Sequence, residues 1–214
     1  MACPTVLTLP VPAALPLAPR GGACRVLGMD QAVDTPADET LMQAWAGSGD
    51  VAAFEALYAR HRAPLFRFLQ GHLHDRGLAE ELFQDVWQRV IAARAGWRPD
   101  APFGAWLYRI AHNRLNDHWR ARRHRPPAPA DALDRTAALA ASDDPERDAS
   151  EREAAARLYR ALDELPAEQR QAVLMRLHGE LPLEEIARIT GVGRETVKSR
   201  LRYAMDKLRG RLEA

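Results

Sequence analysis

The sequence predicts an all-α protein built of two small helical modules joined by an acidic connector. Three observations carry that reading. From about residue 38 onward apolar side chains recur every three or four positions, no alternating strand pattern stands out, and the 126–150 stretch is rich in Pro, Ala and Asp. The 214 residues suffice for one large or two small domains. A chain that is 47% hydrophobic and 28% charged, with 30 basic against 29 acidic side chains, is globular rather than uniformly charged and disordered. No apolar run reaches the roughly 18 to 20 residues of a bilayer-spanning helix, so no membrane association is expected. The only cysteines, Cys3 and Cys24, lie in an atypical N-terminal stretch, and a reducing cytoplasm is the simplest location.

Residues 1–35 read as a disordered extension, because prolines crowd its first half and no apolar period is present. Pro10, Pro12, Pro16 and Pro19 also spoil the apolar core that a secretory signal requires, so export is not expected. Met29 precedes the first foldable sequence and is an alternative start. The first module is expected over 36–125. In it, Phe54, Leu57, Tyr58, Leu65 and Leu69 form a core stripe across two helices, with Asp50 capping the first and Pro64 opening the second. A further helix is predicted from about Leu78 to Arg94. Its Leu82, Val86 and Val90 face a core, whereas Glu81, Gln84, Asp85 and Gln88 form an acidic and amide face. Gly96, Pro99 and Pro102 mark a loop, and Phe103 opens another long helix. The connector is expected over 126–150 and the second module over 151–214.

Charge is segregated despite a net value of +1. One basic block spans 109–125, another spans 194–211, and 131–153 between them is acidic. Clustered cations at two places suit a polyanion gripped twice, although two solvated helix faces would look the same by charge alone.

The C-terminal block sits in a helix-turn-helix pattern. Leu183, Ile186, Ala187 and Ile189 form a short amphipathic helix, Gly191 breaks it, and Val192 is placed to pack beneath the turn. In the next helix Val197, Leu201, Ala204 and Leu208 face the core. Glu195, Lys198, Ser199 and Arg202 therefore project from the part of the motif that enters a major groove, and Arg194, Thr196 and Arg200 are placed for flanking phosphates. In the 103–123 helix, Phe103, Leu107, Ile110, Ala111 and Leu115 share one face. Trp106, Arg109, Asn113, Asn116 and Arg120 then share another, a combination suited to stacking on unpaired bases, bonding their edges and holding phosphates. An aromatic-rich helix also serves as core, and Trp106 is open to that reading.

Taken together, AEELFQDVWQRVI at 79–91, FGAWLYRIAHNRLNDHWR at 103–120, LPAEQRQAVLMRLHGELPLEEIA at 165–187 and GVGRETVKSRLRYAMDKLR at 191–209 resemble bacterial RNA polymerase sigma factors of the extracytoplasmic-function group. The resemblance implies a region 2 helical bundle followed by a region 4 helix-turn-helix. It further implies docking of Glu81, Gln84, Asp85 and Gln88 on the clamp helices of core RNA polymerase, with the flap as a second contact. Trp106, Arg109 and Asn113 would melt and read the minus-10 element, beside a Trp97–Pro102 loop resembling the one that accepts a flipped base. Lys198, Ser199 and Arg202 would read the minus-35 element. An anti-sigma factor is a further partner the resemblance allows. Two departures stand out: Glu195 occupies a position where the family often has a small residue, and Pro182 one where a capping hydroxyl is common.

No catalysis, metal or cofactor is expected. His61, His72 and His74, or His112, His118 and His124, do not supply two ligands at the helical spacing of a zinc site, and no phosphate-binding glycine loop is present. The rival reading is a stand-alone helix-turn-helix regulator binding duplex DNA as a dimer. It accounts for 183–209 but gives the 79–91 and 103–120 surfaces no use.

Overall fold

The computed structural model describes residues 36–73, 75–123 and 145–212, with side chains of the last segment from 153 onward. The expectations for the 1–35 extension, including Cys3, Cys24 and Met29, and for 126–144 lie outside the described residues. Those residues are helical throughout their regular elements: α1 (Asp38–Ser48), α2 (Val51–His72), α3 (Arg76–Ala93), a 3-10 turn (Arg94–Gly96), α4 (Phe103–Arg123), α5 (Pro145–Asp163), α6 (Ala167–His178), α7 (Leu183–Thr190) and α8 (Arg194–Leu212). Helix α5 starts at Pro145, ahead of the expected Glu151 and inside the stretch assigned to the connector.

Local chemistry explains most boundaries. Gly49 ends α1 in the left-handed conformation at φ 75°, which glycine adopts without a Cβ clash. The Asp50 carboxylate accepts from the Ala52 and Ala53 amides at 2.9 and 3.2 Å, satisfying two of the free donors that begin α2. Asp75 does the same for Leu78 at the start of α3, at 3.2 Å. The Phe103 amide at the head of α4 donates to Glu39 Oε1 at 3.1 Å, so α1 caps a helix distant in sequence.

Pro64 corrects the sequence reading. Instead of opening a second helix it lies inside the continuous α2. An interior proline forfeits one backbone bond and costs about 3 kcal/mol. Burial of Leu57 before it and of Leu65, Phe68 and Leu69 after it outweighs that, at about 1.5–3 kcal/mol per side chain.

The core of the first module is built around Trp87, fully buried, whose ring centroid lies 4.9 Å from that of Tyr58, 5.9 Å from Phe54 and 6.4 Å from Phe83. In the second module Leu162, Leu174, Ile186 and Ala204 are fully buried. There Arg170 closes the end of α5 by donating to the carbonyls of Leu162 and Asp163 at 3.0 and 2.7 Å.

The two modules pack against each other, α2 on α6 and α4 on α7, and their buried residues form one continuous cluster. Gly71 of α2 approaches Leu174 of α6 so closely that a Cβ there would lie 2.7 Å from both Leu174 methyls. Across the same seam Gln171 of α6 is hydrogen-bonded to His112 Nδ1 of α4, and Gly179 lies against the Tyr108 ring.

Candidate nucleic-acid interface

Two surfaces of different chemistry emerge, one on each module. On the second, Gly191 ends α7 at φ 69°, and the Val192 amide donates back to the Ala187 carbonyl at 3.1 Å, a glycine-dependent helix ending that sets the angle between α7 and α8. Val197, Ala204 and Leu208 are buried, with Leu201 packed beside them. The opposite face presents Arg194, Glu195, Thr196, Lys198 and Arg202 to solvent, with Ser199 and Arg200 half-buried at its margins. Every residue assigned there from sequence therefore lies on or beside one exposed surface at the start of α8.

Glu195 gains a local explanation. Its carboxylate stands 3.1 Å from Arg194 and 3.7 Å from Lys198, while Arg194 also pairs with Glu184 of α7 at 2.5 Å. That last hydrogen bond pulls the Glu184 carboxyl below its ordinary range and raises the Arg194 guanidinium. The network spans both helices of the motif and offsets the Glu195 charge. Exposed ion pairs of this kind are weak and screened by salt, so Arg194 and Lys198 are not locked to their carboxylate partners. Pro182 precedes α7 without a side-chain cap, and its carbonyl accepts from the Ile186 amide at 3.1 Å. The Arg202 guanidinium lies 4.9 Å from the ring centroid of the exposed Tyr203, an aromatic that the sequence reading did not single out.

On the first module, Arg109, Asn113, Asn116 and Arg120 form an exposed stripe along α4. Asn116 is paired with His112 Nε2 at 2.9 Å, and Arg120 with Asp117 at 3.2 Å. Trp106 and Trp97 do not join the stripe. Each is only 9% exposed, and Trp106 is tilted against Phe103 at 6.0 Å between ring centroids. One turn past Phe103, Trp106 falls toward the core side of α4, so the surface is polar and cationic and both indoles are buried. Further along the helix, the half-buried Trp119, with Arg122 at 5.9 Å from its centroid, is an aromatic the sequence reading missed; its spacing from Asn116 and Arg120 was the available signal.

The amide and acidic face of α3 is split. Glu81 and Gln88 are exposed, while Gln84 and Asp85 are half-buried. Asp85 is ion-paired with Arg114 of α4 and lies 3.5 Å from Arg89, so it ties α3 to α4. Among the described residues no group of three or more His, Cys, Asp or Glu side chains is arranged to hold a metal, and no helix is long and apolar enough to cross a membrane.

Comparison with known proteins separates the readings. Residues 57–125 match the Sigma-70 region 2 family model, and residues 161–210 match that of Sigma-70, region 4. The RNA polymerase sigma-H factor of Pseudomonas aeruginosa is 30% identical over 168 residues, covering 74% of this chain and 87% of that one. This chain belongs to the sigma-70 family. Another relative, the ECF RNA polymerase sigma factor RpoE of Cereibacter sphaeroides, is 35% identical over 175 residues, or 79% of this sigma factor and 91% of its relative. The solved structure of CnrH in complex with the cytosolic domain of CnrY superposes with a TM-score of 0.61 at 25% identity, covering 83% of this chain and 98% of that chain. As an extracytoplasmic-function sigma factor, the protein directs promoter-specific initiation of transcription by RNA polymerase. A stand-alone regulator is not favoured, because the match to region 2 gives the first module the role that reading lacked.

Proposed function

We propose that this sigma factor divides its work between the two exposed surfaces. Helix α8 enters the minus-35 major groove, where Lys198, Ser199 and Arg202 meet base edges, Glu195 accepts from a cytosine amine, and Arg194, Thr196 and Arg200 hold phosphates. The Arg109, Asn113, Asn116 and Arg120 stripe of α4 holds separated minus-10 strands, with Trp106 and the Trp97 loop supplying an aromatic floor once a base enters. Glu81, Gln84, Asp85 and Gln88 of α3 engage core polymerase at its clamp helices, with the flap as a second contact, and Asp85 would exchange Arg114 to do so. The observation that carries the reading is the coexistence of a groove-fitting basic helix and a separate amide and guanidinium stripe on opposite modules of one chain. A duplex reader needs only the first.

The functional modules correspond to residues 36–125 and 151–214, and α5 leads into the second. The protein has no catalysis of its own. Binding energy suffices, because stacking worth about 1–3 kcal/mol per base offsets the few kcal/mol needed to unstack it. It works in the cytoplasm, where core polymerase and promoter DNA are found, and an anti-sigma protein is a fitting restraint on it. Run-off transcription with core enzyme on genomic fragments tests the reading: new promoter-specific transcripts are expected, and their absence overturns it. Arg202→Ala should cost about 1–3 kcal/mol of discrimination at one minus-35 position while sparing the fold. Measuring each minus-35 base change with and without the substitution checks this, and identical penalties in both would exclude Arg202 as a base reader.

A further inference from the structure

The seam between the modules collects polar groups that an interface built only for stability would exclude. His72 at the end of α2, His178 at the end of α6 and Tyr108 in the middle of α4 each bury a polar atom, Nε2, Nε2 and Oη respectively, with no hydrogen-bond partner. A buried polar group left unsatisfied loses its hydration without replacement, so this seam is held by apolar contact working against its polar lining. Beside them, His112 is satisfied, by Gln171 at Nδ1 and Asn116 at Nε2.

We propose that the seam is an acid-released latch: with His72 and His178 neutral the modules stay packed together, and protonation of these two histidines separates them. Their surroundings favour release. Among the described residues, the groups acting electrostatically on His72 are Arg170 and His178 of α6 and His112 of α4, and the one acting on His178 is Arg67 of α2. Arg67 also faces Tyr159 of α5 and Tyr108, and Tyr108 in turn feels Glu180. Arg170 is engaged by Asp163 at 3.6 Å and by the carbonyls that end α5. A proton on His72 is therefore placed near Arg170, and one on His178 near Arg67.

Burial first, and these cations second, push both histidines down to about 3. In separated modules an exposed histidine titrates near 6.5. Above about pH 6.5 both states are neutral and the packed state keeps its full stability, which is then lost progressively as pH falls toward 3. For two such groups the equilibrium shifts about 70-fold toward separation between pH 7 and pH 5.5.

Separation matters if the promoter-reading role holds, and this consequence alone rests on that role. Elements centred near minus-10 and minus-35 lie about 25 base pairs apart, or about 85 Å along straight duplex at about 3.4 Å per pair. A compact body of the size of the described residues has a radius of gyration of about 15 Å and is about 40 Å across. Packed modules cannot reach both elements at once.

Small-angle scattering of the full chain between pH 7.5 and 5, with far-UV circular dichroism on the same samples, tests the latch without polymerase or DNA. The radius of gyration is expected to rise below about pH 6.5 with helicity retained. His72→Gln with His178→Gln should hold one radius throughout that range. A constant radius for the native chain, expansion accompanied by loss of helix, or equal expansion of the double variant would each overturn the proposal. Should the variant fail to fold, NMR titration of the native imidazoles decides. Two histidines gaining protons only as the radius rises support the latch, and independent titration at constant radius overturns it.

Discussion

Trp106→Ala should destabilise the fold by about 3–5 kcal/mol, whereas Asn113→Ala, two turns along the same helix, should leave stability within about 0.5 kcal/mol of the native value. The contrast follows from their placement. Trp106 is 9% exposed and packs on Phe103, so truncation opens a cavity at the head of α4, where Glu39 of α1 also attaches. Asn113 is exposed on the polar stripe and leaves no void. In open-complex formation Asn113→Ala should lose about 1–3 kcal/mol, the worth of a side chain bonded to a base edge. Thermal melts and permanganate reactivity of the minus-10 thymines, measured on holoenzyme, separate the two effects. Unchanged reactivity with Asn113→Ala removes it from the interface. A native melting temperature for Trp106→Ala would show that its indole contributes little to the core.

The helix-turn-helix was legible because its determinants are local. Gly191 must take a positive φ, and the stripe from Val197 to Leu208 repeats at helical spacing, so three turns of sequence define both the bend and the exposed face. The stripe on α4 was legible to the same extent: periodicity assigned Arg109, Asn113, Asn116 and Arg120 to one side. It did not settle Trp106, because an indole at a stripe boundary packs inward or outward according to neighbours such as Phe103 that only the tertiary fold supplies. Pro64 misled for a related reason, since local propensity ends a helix there while burial on both sides carries it through. The Asp85 pairing with Arg114 and the Glu39 cap on α4 join helices distant in sequence, and no spacing rule reports such partners. Least legible was the seam. Gly71 and the histidines at the ends of α2 and α6 look in sequence like helix termini, and Leu174 like any core leucine.

Gly71→Leu should force the modules apart at neutral pH, where the native chain keeps them packed. A Cβ at this position meets Leu174 Cδ1 and Cδ2 at 2.7 Å and Cγ at 3.3 Å, and all three of these nearest atoms belong to the other module. Leu174 is fully buried, with little room to turn aside, and overpacking of this kind costs about 1–3 kcal/mol. That is large for a seam already carrying the unpartnered His72, His178 and Tyr108 atoms, at about 1–3 kcal/mol each. The atoms nearest the added Cβ all lie across the seam, so the clash falls first on the other module, and α2 with its packing around Trp87 should persist. The variant is therefore expected to show, at pH 7.5, the radius of gyration that the native chain reaches only in acid, with native helicity and with the calorimetric transition divided into two. A native radius at pH 7.5 would mean that Leu174 yields and the seam repacks.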